Sequence, residues 1–298
     1  MTRGLAVIAL LIALLVMPIG AQQAARDLKI FISADMEGLT GVVQPAQLGP
    51  TGFEYGAFRE IMTGEVLAAI DGARAAGATT FVIADSHGNA QNLLLDRLPE
   101  DVQVVRGFPR PLEMMQGVDQ SFAAAVFIGY HASEWTPDAV RGHTISSARL
   151  LGVRLNGAEV SEGILNAAIA GHFGVPVAFV SGDRLAVTQL QATVPGVEGV
   201  VVKEPIGYHS AQTLMPARTR ALIKDGVTRA LKRLGGMQPY RIKTPIDLTV
   251  GFKLTIDAER AAYVPGLVRA DAHNVRGTFP DIIQIVKLVQ ILTSLETP

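Results

Sequence analysis

Strand-like apolar runs alternate with helical ones along this chain, and several of the runs stop at residues able to bind a metal. That alternation is the pattern of an α/β sheet, in which ligands bind beyond the carboxyl ends of the strands. The first run, Leu28 to Ser33, leads straight into Ala34-Asp35-Met36-Glu37-Gly38. Side chains two apart on an extended segment point the same way, so Asp35 and Glu37 can face one small volume. Two inward-facing acids repel unless a proton or a cation lies between them. An isolated Asp-x-Glu is equally a capped turn beside a solvated acid, so the other strand ends carry the decision.

Tyr55 to Ala76 has helical apolar spacing (Phe58, Ile61, Met62, Val66, Leu67, Ile70, Ala73) and stops at Gly77. Thr79 to Ala84 predicts the second strand, with the polar turn Asp85-Ser86-His87-Gly88-Asn89 behind it. Leu93 to Leu98 reads as a short helix and Val102 to Val105 as a brief strand. Ala123 to Tyr130 is a further buried run, ending at His131. Leu150 to Leu155, turning at Asn156-Gly157, predicts a hairpin. A helix from Ser161 to His172 follows, with Glu162 in its first turn, and then a strand from Val175 to Ser181. Beyond Arg184 the character changes to a long helix (Thr213 to Leu234), an alternating strand (Ile246 to Ile256) and an amphipathic helix (Pro280 to Leu295). The expected fold is a mostly parallel sheet flanked by helices over residues 27–205, with a smaller C-terminal α+β part over 206–298.

Residues 1–21 read as a secretory signal peptide, with Arg3 as its charge, an uncharged apolar stretch from Leu5 to Ile19 and small residues around Ala21. Ala24 and Ala25 are alternative cleavage points. The stretch is shorter than the about 20 apolar residues of a membrane span, with an uncleaved anchor as the alternative reading. The expected location is the periplasm or the medium, with no stable membrane association after cleavage. The chain has no cysteine and a formal charge of −1, which removes thiolate chemistry and gives no reason to expect nucleic acid as a partner. Any metal site must be built from His, Asp and Glu.

Three apolar strands supply such residues at their ends: Asp35 with Glu37, His87, and His131. Glu162, near a helix start, adds a further donor. Two His and three carboxylates exceed what one tetrahedral zinc needs. They fit two divalent ions about 3.5–4 Å apart with a carboxylate bridging. Such a site hydrolyses amides or phosphate esters, and the residue types do not choose between them. His143, in the polar loop after His131, is the remaining candidate for acid–base work. His172 suits the end of a helix, His209 and His273 read as surface residues, Asp183 as structural, and Asp85 as a candidate to orient a histidine. Gly38, Gly41 and Gly88 fit tight turns beside the site.

Ser33-Ala34-Asp35-Met36-Glu37-Gly38, Ala84-Asp85-Ser86-His87-Gly88 with Asn92-Leu93, Gly129-Tyr130-His131-Ala132, and Glu162-Gly163 with Asn166 resemble the D-aminopeptidase family, the dipeptide transport protein A-like zinc peptidases. Ile61-Met62-Thr63 and Gly182-Asp183-Arg184 also match, and the resemblance weakens beyond Leu234. It implies two Zn2+ per subunit, with Asp35 as the bridge, Glu37 and His87 on one zinc, and His131 and Glu162 on the other. It places His143 at the family's catalytic histidine. It also implies removal of N-terminal D-amino acids from short peptides such as D-alanyl dipeptides, by a homo-oligomer, a decamer in the family. A dinuclear metallophosphoesterase and a two-lobed periplasmic solute-binding protein are the alternative functions, and the second leaves three inward-facing strand ends without a purpose. Two features depart from the family: the leader, against a cytoplasmic dipeptide role, and the Glu134-Trp135 loop between His131 and His143.

Overall fold

The computed structural model describes residues 28–294, so the leader expected over 1–21 lies outside the described residues. In chain order the elements are β1 (Leu28–Ala34), α1 (Tyr55–Ala75), β2 (Ala78–Asp85), β3 (Val102–Val105), β4 (Ala124–Tyr130), β5 (Leu150–Leu155), β6 (Ala158–Val160), α2 (Glu162–His172) and β7 (Val177–Asp183). There follow α3 (Arg184–Thr193), β8 (Glu198–Gly207), β9 (Ser210–Thr213), α4 (Pro216–Lys232), β10 (Ile246–Phe252), α5 (Thr255–Ala261), β11 (Val268–Arg269), β12 (Asn274–Phe279) and α6 (Ile282–Ser294).

The larger sheet has the order β3-β2-β1-β4-β7-β8-β9, parallel through β8 with β9 antiparallel at one edge. Ile30 to Ala34 are fully buried, as a strand covered on both faces requires. On one face Ile30 and Ile32 meet Met62, Val66 and Ile70 of α1 and Ile223 and Val227 of α4. On the other, Phe31 and Phe127 share a core with α2, α6 and the smaller sheet. Each large side chain buried this way contributes about 1.5–3 kcal/mol. From β1 the chain fills β2 and β3 on one side, then returns to β4 on the other. The carboxyl edge between β1 and β4 is therefore a topological switch point, where α/β sheets open a crevice. Ala34 is in register with Asp85 of β2 and Ile128 of β4, so the three strands that carry the candidate ligands end nearly level.

The boundary expected near residue 205 falls inside β8. Beyond it, β9 extends the larger sheet and α4 packs along α1. The smaller, antiparallel sheet, β11-β12-β10-β5-β6, combines strands from both sides of that point. Alternation in Ile246 to Ile256 signals an antiparallel strand, but periodicity carries no information on its partner, which is β5. The helix expected over Leu93 to Leu98 is a single 3₁₀ turn, Leu95–Arg97.

The segment after β1 is held against β4 by close backbone approach. Asp35 N donates to Ile128 O at 2.8 Å and Gly38 N to Gly129 O at 2.7 Å. A Cβ on Gly38 would lie 1.9 Å from Tyr130 O, so only glycine fits there. From below, the buried Lys203 of β8 donates to the carbonyls of Glu37, Leu39 and Val42, and Glu65 accepts from Thr40 N at 3.1 Å. These contacts leave the Asp35-to-Glu37 turn little freedom, and Met36 between the acids is fully buried in the core.

Candidate metal centre

The six residues expected at the site come together at the carboxyl edge of the larger sheet, and all six are buried. Asp35 and Glu37 follow β1, His87 follows β2 and His131 follows β4. Glu162 opens α2, where the Ser161 side chain accepts from Ile164 N and the positive end of the helix favours a carboxylate. His143 folds back through a bond from its own N–H to Ala132 O at 3.1 Å. Its ring stacks on that of His131, with centroids 4.1 Å apart and planes 10° from parallel.

Each histidine has one ring nitrogen tied to a main-chain carbonyl. His87 Nε2 lies 2.7 Å from Leu48 O, His131 Nδ1 3.0 Å from Ala132 O, and His143 Nδ1 2.8 Å from Arg141 O. A carbonyl only accepts, so these nitrogens carry hydrogens, and in the neutral ring the other nitrogen presents a lone pair. Those second nitrogens all face carboxylates. His87 Nδ1 is 3.2 Å from Asp35 Oδ1 and 2.7 Å from Glu37 Oε2. His131 Nε2 is 3.4 Å from Asp35 Oδ2 and 3.2 Å from Glu162 Oε2, and His143 Nε2 is 3.5 Å from Glu162 Oε1.

Asp35 Oδ2, Glu37 Oε2 and His131 Nε2 are nonetheless buried without an aligned hydrogen-bond partner. Each such orphan costs about 1–3 kcal/mol, more when charged. A cation among them would satisfy them together. Ligand atoms of Asp35, Glu37 and His131 lie within 4.8 Å of one another, as do those of His131, His143 and Glu162. The donor set thus fits a divalent ion, and His131 belongs to both groups.

The charges tell the same story. Burial, and then Glu37, push Asp35 up to about 7. Burial would raise Glu37 too, but His87 holds it well below the usual range. Burial would lower His87 and His131, yet Glu37 raises the first well above its usual value and Glu162 raises the second to about 10. His143 moves the other way, lowered by burial and then by His131. Without a metal, then, protons occupy the space between carboxylates and imidazoles.

A sequence profile described as D-aminopeptidase matches residues 28–291. The chain belongs to the D-aminopeptidase family. It is 30% identical to the D-aminopeptidase of Bacillus subtilis over 275 residues, which cover 90% of this chain and 97% of the relative. It is also similar to the solved structure of the zinc-dependent D-aminopeptidase DppA from Bacillus subtilis, described as a self-compartmentalizing protease. That match has a TM-score of 0.86 and 29% identity over 90% of this chain and 97% of the other. The family's mixed architecture, a mostly parallel sheet with a second, antiparallel one, is therefore the fold found here.

The other polar residues take structural places in this family member. Asp85 accepts from Asn92 N, Asn92 Nδ2 and Leu93 N at 2.6–2.8 Å and shapes the turn, rather than orienting a histidine directly. Leu48 O orients His87 instead, a contact no side-chain pattern announces. Asp183 caps α3. His209 and His273 bond the carbonyls of Val43 and Phe252, and His172 packs edge-on against Phe173.

The centre opens into a cavity of about 710 Å³, within the range of small-ligand pockets. Besides Asp35, Glu37, His87, His143 and Glu162, residues Pro45, Phe108, Met114, Glu113, Arg141 and Ile145 line it. Sequence reasoning missed Arg141, in an irregular loop, and Glu113, which opens a single 3₁₀ turn (Glu113–Met115); both backbones pass through positive φ (54° and 50°) and neither lies on a long periodic element.

Proposed function

We propose that this protein is a dinuclear zinc aminopeptidase that releases the N-terminal D-residue from short peptides, D-alanyl dipeptides in particular. The observation that carries the reading is Asp35, whose two oxygens face different histidines, His87 at 3.2 Å and His131 at 3.4 Å. A carboxylate so placed is suited to bridging. Glu37 and His87 would complete one ion's ligands, and His131 and Glu162 the other's; these oxygen and imidazole donors suit zinc. The names of the relatives, D-aminopeptidase and zinc-dependent D-aminopeptidase, support both the metal and the substrate class.

When bound, a zinc pair supplies Lewis acidity toward a carbonyl and a hydrolytic nucleophile at neutral pH. The chain's own residues do the rest. Leu48, Ala132 and Arg141 fix the three imidazoles through their carbonyls, setting tautomer and orientation. His143, kept neutral, takes a proton at Nε2 during attack and returns it to the departing amine. Phe108, Pro109, Met114 and Ile145 give the cavity an apolar wall that limits water beside the reacting carbonyl.

The self-compartmentalizing relative supports a homo-oligomer here, in this proposal a decamer, which sedimentation checks. Exposed apolar side chains such as Phe53 (88%) and Tyr263 (74%) offer contact surface for it. The leader pattern supports a periplasmic or secreted protein, which cell fractionation checks. Among the described residues no helix is long and apolar enough to cross a membrane.

The direct test of the reaction compares D-alanyl-D-alanine, L-alanyl-L-alanine and p-nitrophenyl phosphate with the zinc-loaded protein. The D-dipeptide is expected to exceed the L-dipeptide in kcat/KM by at least about tenfold, with the phosphate ester scarcely touched. Phosphate ester hydrolysis outpacing both peptides would make the centre a phosphoesterase.

A further inference from the structure

Four acids line the cavity, Asp35, Glu37, Glu113 and Glu162, and among the described residues Arg141 is the one Lys or Arg that lines it with them. A peptide short enough to enter brings its own α-carboxylate into this cavity, where Arg141 is the chain's own lining cation. The carboxylate of a dipeptide lies only one residue, at most about 3.3–3.6 Å, beyond the scissile bond.

We infer that Arg141 binds the free α-carboxylate of the substrate peptide and so selects short peptides with an unblocked C terminus. The inference rests on the peptidase reading above. Arg141 forms no ion pair with any described residue: its guanidinium stands 5.3 Å over the ring of Tyr208, and its Nε is buried without an acceptor. Arg110 and Arg149 also bury guanidinium nitrogens without a partner, but each keeps an acceptor or an acid, Arg110 at Asp85 O (2.9 Å) and Arg149 at Asp257 (3.7 Å). A buried donor without an acceptor is destabilising until a ligand supplies one.

The backbone of Arg141 is fixed on both sides of that guanidinium. Its N–H donates to Tyr208 O at 3.1 Å, in the turn between β8 and β9, and its carbonyl receives His143 Nδ1 at 2.8 Å. Its φ of 54° is a left-handed conformation that a non-glycine residue holds only where its surroundings impose it. The same residue thus orients His143 through its main chain and offers the cavity a planar fork through its side chain. That fork matches a carboxylate with two parallel hydrogen bonds, which lysine cannot reproduce. Tyr208, half-exposed, supports the flat cation from behind.

The test is steady-state hydrolysis of D-alanyl-D-alanine and of D-alanyl-D-alaninamide by the zinc-loaded full chain and by Arg141→Met and Arg141→Lys. The wild type is expected to favour the acid over the amide by about tenfold to a hundredfold, mainly in KM, the worth of a charge-assisted pair. Arg141→Met is expected to bring that ratio close to one, and Arg141→Lys to leave it in between. A variant that loses activity on both substrates in equal proportion, keeping the wild-type ratio, overturns the carboxylate role and leaves Arg141 as support for His143. A wild-type ratio near one also overturns it while the peptidase reading stands. If the wild type cleaves neither substrate, the peptidase reading fails and the inference falls with it.

Discussion

Replacing His131 with alanine is expected to cut hydrolysis of D-alanyl-D-alanine by at least about a thousandfold and to lower bound zinc from two ions per subunit toward one. His131 Nε2 lies between two of the carboxylates, 3.4 Å from Asp35 Oδ2 and 3.2 Å from Glu162 Oε2. Its loss leaves three buried carboxylates with one imidazole fewer to balance them, and it strips one ion of its only nitrogen donor in the proposed ligand set. The ring is fully enclosed, so the variant also opens a cavity and is expected to melt earlier. Metal analysis after gel filtration separates the causes: a folded variant with reduced zinc supports the ligand role. Full zinc and wild-type kcat in a folded variant would remove His131 from the centre.

His143→Ala is expected to lower kcat by about 10²–10⁴ and to leave both zinc ions in place. The geometry makes this the sharper test, because His143 also sits in one of the two ligand-like groups, with His131 and Glu162. If it is a ligand, its removal lowers zinc content; if it moves protons, zinc stays and the rate falls. Burial, and then His131, hold its pKa below the usual histidine value, so the ring is neutral at pH 7 and Nε2 can accept a proton. A group with a depressed pKa loses its base form only as pH falls through that lowered value. The wild type should therefore keep its activity somewhat below pH 6.5, with an acid limb that the alanine variant no longer shows. Loss of zinc along with activity would reassign His143 to the metal.

Much of this centre is legible in the sequence, because a parallel sheet gathers its strand ends. Asp35, Glu37, His87 and His131 each end or follow an apolar run, and the strand order β2-β1-β4 then makes them neighbours. Glu162 is legible as the first-turn acid of a helix, though its distance from the other ligands is not. What the sequence does not disclose is main-chain chemistry. Leu48 contributes only its carbonyl, Gly38 only its missing Cβ, and Lys203 three hydrogen bonds to carbonyls of the turn that bears Glu37. None of these roles leaves a periodicity or a motif. The smaller sheet escapes for a related reason: β5 and β10 are almost a hundred residues apart, and an alternating strand does not name its partner. Residue 205, where the sequence places a soft boundary, lies within β8 and pairs with β9.

The most direct measurement is a calorimetric titration of zinc into the metal-free chain at pH 7 in two buffers of different ionisation enthalpy. The predicted stoichiometry is two per subunit. Metal-free His131, at about 10, and His87, raised well above its usual value, are protonated at that pH and must lose those protons to bind. The observed heat should therefore depend on the buffer, corresponding to release of about two protons per subunit, with a further fraction from Asp35 at about 7. That release should begin to shrink as pH approaches 10, where His131 starts to lose its proton without metal. One zinc per subunit, or heats that do not change with buffer, would contradict a dinuclear centre built on Asp35, His87 and His131.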